Sequence, residues 1–118
     1  MIRDIQGGRG RGCWAVVVGS AGGVGREVAL RLAERGRGAV VNVGGLDGMT
    51  GPGNAVRAAV AALDSLTRLW AGECGPRGVR INSVDLDGGG ESGAIAEAVR
   101  FLVSPHAAYV QGSVLTMG

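Results

Sequence analysis

Trp14-Ala15-Val16-Val17-Val18-Gly19-Ser20-Ala21-Gly22-Gly23-Val24-Gly25 is the stretch on which the fold of this 118-residue chain turns. An unbroken apolar run of this kind is what a parallel sheet buries on both faces. The glycines behind it allow a tight turn, and Val24, Val28 and Leu32 then recur at helical spacing, with Glu27 four residues before Arg31 on another face. Strand, glycine turn and helix in that order suit a phosphate group resting on a helix N-terminus. The same glycines also suit a turn that only lets strand and helix pack closely. A P-loop is excluded, because the chain contains no Lys.

The alternation continues outward. Gly36 and Gly38 end the first helix, and a second apolar strand, Ala39 to Val43, runs into a glycine-rich loop. Val56, Val60, Leu63, Thr67 and Trp70 mark a long helix from about Asn54 to Glu73, stopped by Gly75-Pro76. Val79 to Val84 reads as the third strand, Ser92 to Val103 as the third helix and Ser113 to Met117 as the last strand. The expected fold is α/β: a reduced Rossmann-like arrangement of about four parallel strands with three main helices. Residues 1–12 read as a flexible leader and residues 13–118 as one truncated Rossmann-like domain. Right-handed crossovers running in one direction would set all three helices on one side of the sheet. Val-rich strands need cover on both faces, so a neighbouring chain is the expected cover for the second.

Composition narrows the function classes. The hydrophobic fraction of 46% supports a globular core, but aromatics are only 3%, so that core is aliphatic. All the basic residues are Arg, the net charge is +2, and the arginines are spread along the chain rather than clustered, which argues against nucleic acid as a partner. No segment approaches a membrane span. Cys13 and Cys74 have neither metal spacing nor the number a disulfide scaffold needs, and they read as thiols of a cytoplasmic protein with no metal site.

Three further stretches carry a family resemblance. These are Gly75-Pro-Arg-Gly-Val-Arg-Ile-Asn-Ser-Val84, the run Ile95-Ala-Glu-Ala-Val-Arg-Phe-Leu-Val-Ser-Pro105 continuing through Tyr109-Val-Gln-Gly112 to Val114-Leu-Thr116, and Leu66-Thr67-Arg68 with Glu73. Together with the glycine loop they resemble the short-chain dehydrogenase/reductase family over almost everything after residue 13, in the manner of a truncated ketoreductase-like member. Gly38-Ala-Val-Val-Asn-Val-Gly-Gly-Leu-Asp-Gly48 with Pro52-Gly-Asn-Ala55 is more similar to the family's fifth strand and catalytic loop than to its second strand. The resemblance then implies an internal deletion of the second, third and fourth strands.

In the family a Ser after the fifth strand, and a Tyr and a Lys four residues apart on the next helix, move the proton. Aligning on Glu73 sets Val56 at the Tyr position, Val60 at the Lys position and Gly45 at the Ser position. The only Tyr is Tyr109, near the last strand. No phenol or ammonium is then available to protonate a carbonyl oxygen as hydride arrives. The resemblance leaves Gly19, Ser20, Gly23 and Gly25 as a residual pyrophosphate contact. The segments that would read ribose and adenine are absent, and Leu86-Asp87 replaces the Pro-Gly that borders the nicotinamide in relatives. Cofactor binding is therefore expected to be none or residual NAD(P).

Two functions from different classes follow. The first is a catalytically degenerate structural or regulatory subunit, a homodimer or higher oligomer, or a partner of a full-length relative. The second is a repurposed enzyme of non-redox biosynthetic chemistry such as cyclisation, dehydration or isomerisation. For the second, carboxylates at strand ends are the candidates: Asp47 and Asp87 first, with Asp85, Glu91 and Thr50 beside them, though Asp and Gly at strand ends also simply make turns. His106, after Ser104-Pro105, reads as a capping residue.

Overall fold

The computed structural model describes residues 2–5, 12–18, 24–45, 53–86 and 92–117. In chain order the elements are β1 (Ile2–Ile5), β2 (Gly12–Val18), α1 (Val24–Ala33), β3 (Gly38–Gly45), α2 (Gly53–Cys74), β4 (Val79–Leu86), α3 (Ser92–Val103) and β5 (Val114–Met117). They form a single five-stranded sheet in the order β1-β2-β3-β4-β5. The last four strands are parallel, and β1 joins antiparallel to β2. Four parallel strands and three helices are the α/β arrangement that the alternating pattern demands.

Residues 2–5 depart from the expected flexible leader, because Ile2 pairs with Ala15 and Ile5 with Gly12. An edge strand such as β2 offers a row of unsatisfied N–H and C=O groups, and a short segment close by in the chain can pair with them.

Side chains alternate across a strand, so β3 and β4 each serve two cores. Val40, Val79 and Ile81 pack with Leu32 and Ala33 of α1 and with Leu63, Trp70, Ala71 and Cys74 of α2. Val41, Val43 and Val84 point the other way and pack with Leu102, backed by Ile95, Ala98, Val99 and Val103 of α3. The helices therefore lie on both faces, which corrects the expectation of one bare face. All three crossovers step across the sheet in the same direction, so α3 on the opposite face gives the third connection the opposite hand to the first two. Arg80 helps to hold α3 there. Its guanidinium donates to the carbonyl oxygen of Leu102 (2.8 Å), which the end of the helix leaves without an intrahelical donor, and to that of Ser104 just beyond it (3.2 Å). Burial pulls the pKa of this guanidinium below its ordinary value.

The beginnings of β3 and β4 meet at a glycine contact. Gly78 has φ of +84°, its carbonyl accepts from Gly38 N–H at 3.1 Å, and any Cβ on it would collide with the Gly36 carbonyl oxygen. Among the described residues no helix is long and apolar enough to cross a membrane.

Candidate functional site

The carboxyl end of β4 lies where the sheet changes the direction of its connections. The link after β3 runs to the face of α2, and the link after β4 runs to the face of α3. Crevices at such switch points are where open α/β sheets bind ligands. A groove of about 220 Å³ opens there, with Arg57, Val60, Ala61 and Asp64 of α2 on one side and Asp85, Leu86 and Thr116 from the ends of β4 and β5 on the other.

Strand alternation brings Asp85 into the groove. Ile81 lies in the core beneath α2, so Ser83 and Asp85, two and four residues on, share its face. Asp85 is only 8% exposed. Ser83 Oγ lies 3.2 Å from the Asn42 carbonyl oxygen and 3.3 Å from Asp85 Oδ1, and its single proton can serve one of them at a time. Asp64 comes from α2 one turn after Val60, and its Oδ1 is buried without a donor.

The Asp85 carboxyl is pushed up from 3.8 to about 7. Burial is the largest cause, followed by the hydrogen bond and the negative charge of Asp64, while the Ser83 hydroxyl and the positive charge of Arg68 pull weakly the other way. The two unusual features have one physical explanation. Two carboxylates within hydrogen-bonding reach of each other resist double ionisation, and a proton kept on Asp85 gives Asp64 Oδ1 the donor it otherwise lacks. Near neutral pH Asp85 can therefore give or take a proton in the groove.

Behind the pair, buried Asn42 donates its amide to Thr67 Oγ1 at 3.2 Å, while its Oδ1 is buried with no partner. This bond ties β3 to α2 and fixes the helix that carries Asp64.

Of the residues singled out from the sequence, Asp85 is in the groove. Asp47, Thr50, Asp87 and Glu91 lie outside the described residues, as do Gly19, Ser20 and Gly23; Gly25 is the second residue of α1. Val60 lines the groove at the position the resemblance gives to Lys, and Gly45 is the last residue of β3. His106 donates its backbone N–H to Ser104 Oγ at 3.2 Å and is exposed, in keeping with a capping turn. Asp64 was not a candidate from sequence. The available signal was a carboxylate four residues after Val60, on the border of the apolar stripe. Among the described residues no group of His, Cys, Asp and Glu has the arrangement to hold a metal.

A dinucleotide needs a switch point at the strand that carries the glycine loop. Here β2 lies between parallel β3 and antiparallel β1, and the connections after β2 and β3 both run to the same face.

No family model matches the chain. Solved structures do. A short-chain dehydrogenase/reductase family protein is 36% identical with a TM-score of 0.61, over 76% of this chain and 48% of its own. A 4-hydroxyisoleucine dehydrogenase complexed with NADH and succinate is 30% identical with a TM-score of 0.62, over 78% of this chain and 49% of its own. An oxidoreductase of the short-chain dehydrogenase/reductase family from Brucella ovis, holding a partially ordered NAD, is 26% identical with a TM-score of 0.60, over 88% and 65%. The chain thus spans about half the length of the first two structures.

Proposed function

From a chain whose fold and sequence are those of the short-chain dehydrogenase/reductase family, we propose a catalytically degenerate member that performs no hydride transfer and acts as a structural or regulatory subunit of a cytoplasmic oligomer. The observation that carries this reading is Val60, a half-buried alkyl side chain in the groove, at the position the resemblance gives to the family's Lys. Among the described residues the titratable side chains lining that groove are Arg57, Asp64 and Asp85, while Tyr109, the only phenol of the sequence, is fully exposed beyond α3. A hydride acceptor's oxygen would find no proton donor of the family's kind. The subunit role is supported by α2, whose Ala58, Ala61, Ala62 and Ser65 are exposed and give a close-approach flank, with Leu69 also 65% exposed. A homodimer or a full-length relative are the partners that such a helix face suits.

The test is calorimetric titration of the purified protein with reduced and oxidised nicotinamide dinucleotides, beside a mass measurement in solution. An oligomer that takes up neither cofactor supports the reading. Tight binding with turnover of carbonyl or alcohol substrates that persists through repurification overturns it.

A second reading is favoured by the Asp64–Asp85 pair. A carboxylic acid and a carboxylate in one crevice are the equipment of general acid–base catalysis. They suit the non-redox chemistry of a repurposed enzyme, in which one side chain takes a proton while the other gives one. Activity on a carbonyl-containing intermediate, lost in Asp85→Asn and in Asp64→Asn alike, is the outcome that would establish it.

A further inference from the structure

The groove between α2 and β5 has a distribution of charge that specifies a ligand class. At its floor sit the carboxyls of Asp85, more than nine-tenths buried, and of Asp64. Arg57 lies seven residues before Asp64 on the same helix, about 10 Å along the axis, and its long side chain covers part of that distance. Val60, Ala61 and Leu86 supply an apolar wall between the two charged ends. The volume of about 220 Å³ is below that of pockets for drug-sized ligands, so the occupant must be small.

We propose that this groove binds a small zwitterion of amino-acid size, with its ammonium group on Asp64 and Asp85, its anionic group on Arg57 and its methylene chain against Val60 and Leu86. The inference rests on reading the Asp64–Asp85 groove as a working site, and names what it takes. An ammonium group brings three donors and a positive charge to the two carboxyls that line the groove, and so removes the reason for them to share a proton. That proton passes from the Asp85 carboxyl to water or buffer as the ligand enters, and no bond other than this O–H is broken or made. The spacing along α2 favours a ligand whose charged ends are separated by several methylenes over an α-amino acid.

The probes are glycine, β-alanine, γ-aminobutyrate and 5-aminovalerate, with butylamine and butyrate as single-ended controls, titrated by calorimetry at pH 6.5 in two buffers of different ionisation enthalpy. Affinity is expected to rise from glycine toward the longer members, with proton release revealed by the buffer dependence. Asp64→Asn and Asp85→Asn should each weaken γ-aminobutyrate by about tenfold or more and abolish the proton release. Arg57→Gln should weaken γ-aminobutyrate by a similar factor and leave butylamine unchanged. Circular dichroism confirms that each variant is folded. A folded wild type that binds none of the zwitterions, or one that binds them no better than Asp85→Asn does, overturns the inference. Binding without any turnover would leave this inference standing and remove the acid–base reading, whereas turnover without zwitterion binding would do the reverse.

Discussion

Asp64 on α2 and Asp85 on β4 lie within hydrogen-bonding reach of each other, and the buried member of the pair, Asp85, holds its proton to about pH 7. The contact joins a helix to the strand beneath it, so the protonation state of one carboxyl bears on the packing of two elements.

Stability should fall as pH rises through this titration. The unfolded Asp85 carboxyl loses its proton near 3.8, the folded one only near 7, so across that interval the folded chain holds the extra proton. The contribution of Asp85 is full below pH 3.8, declines toward pH 7 and is gone above it. Asp85→Asn keeps a neutral side chain at every pH and should be more stable than the parent at pH 8 by about 1–3 kcal/mol, with little difference near pH 4. Urea denaturation at several pH values measures this. An unchanged or steeper decline in the variant would contradict the shared proton.

Removing the neighbour should release the titration. In Asp64→Asn the negative charge beside Asp85 is lost and an amide donor takes its place, so the Asp85 pKa should move down toward 3.8, with burial keeping it from arriving there. Carboxyl-carbon NMR titration reads the shift directly. A midpoint that stays near 7 would assign the whole effect to burial.

Gln111 joins three backbone groups from two elements. Its Oε1 accepts from Ile81 N–H at 2.7 Å, and its Nε2 donates to the carbonyl oxygens of Ala71 and Val79, both at 3.0 Å. Gln111→Glu keeps the acceptor, loses both donors and sets a negative charge against two carbonyl oxygens. The expected cost is about 2 kcal/mol at pH 7, shrinking in acid as the protonated carboxyl regains one donor. Denaturation at pH 7 and pH 4 distinguishes this from a loss of packing, which would not depend on pH.

The melting temperature should rise with protein concentration, as it does when folding and association are linked. The placement of α3 removes the bare sheet face from the case for an oligomer and leaves the exposed flank of α2 as its support. Ala62→Trp puts a large ring on that flank and should weaken an assembly that buries about 1,600 Å² or more. Light scattering at micromolar concentration checks both statements. A well-folded monomer with a concentration-independent melting temperature would overturn them.

Apart from β1, the sequence by itself determined which segments are strands and which are helices, because that information is local. A valine run such as Val40–Val41 buries on both sides only as a strand, and the spacing of Val60, Leu63, Thr67 and Trp70 fits only a helix. It also determined the chemistry that is absent, since a chain without Lys has no ammonium side chain to place in any fold. The face taken by α3 was decided only in three dimensions. An apolar run covered on both sides says that two layers exist, not which helix supplies which layer, and the opposite hand of the third connection leaves no periodic trace. The pairing of β1 likewise depended on a free edge that exists only once β2 is in the sheet. Asp85 could be placed near a strand end from sequence, but its partner could not: Asp64 becomes a neighbour through the packing of α2 on β4. Its proton depends on burial and on that neighbour, both of which are properties of the folded chain.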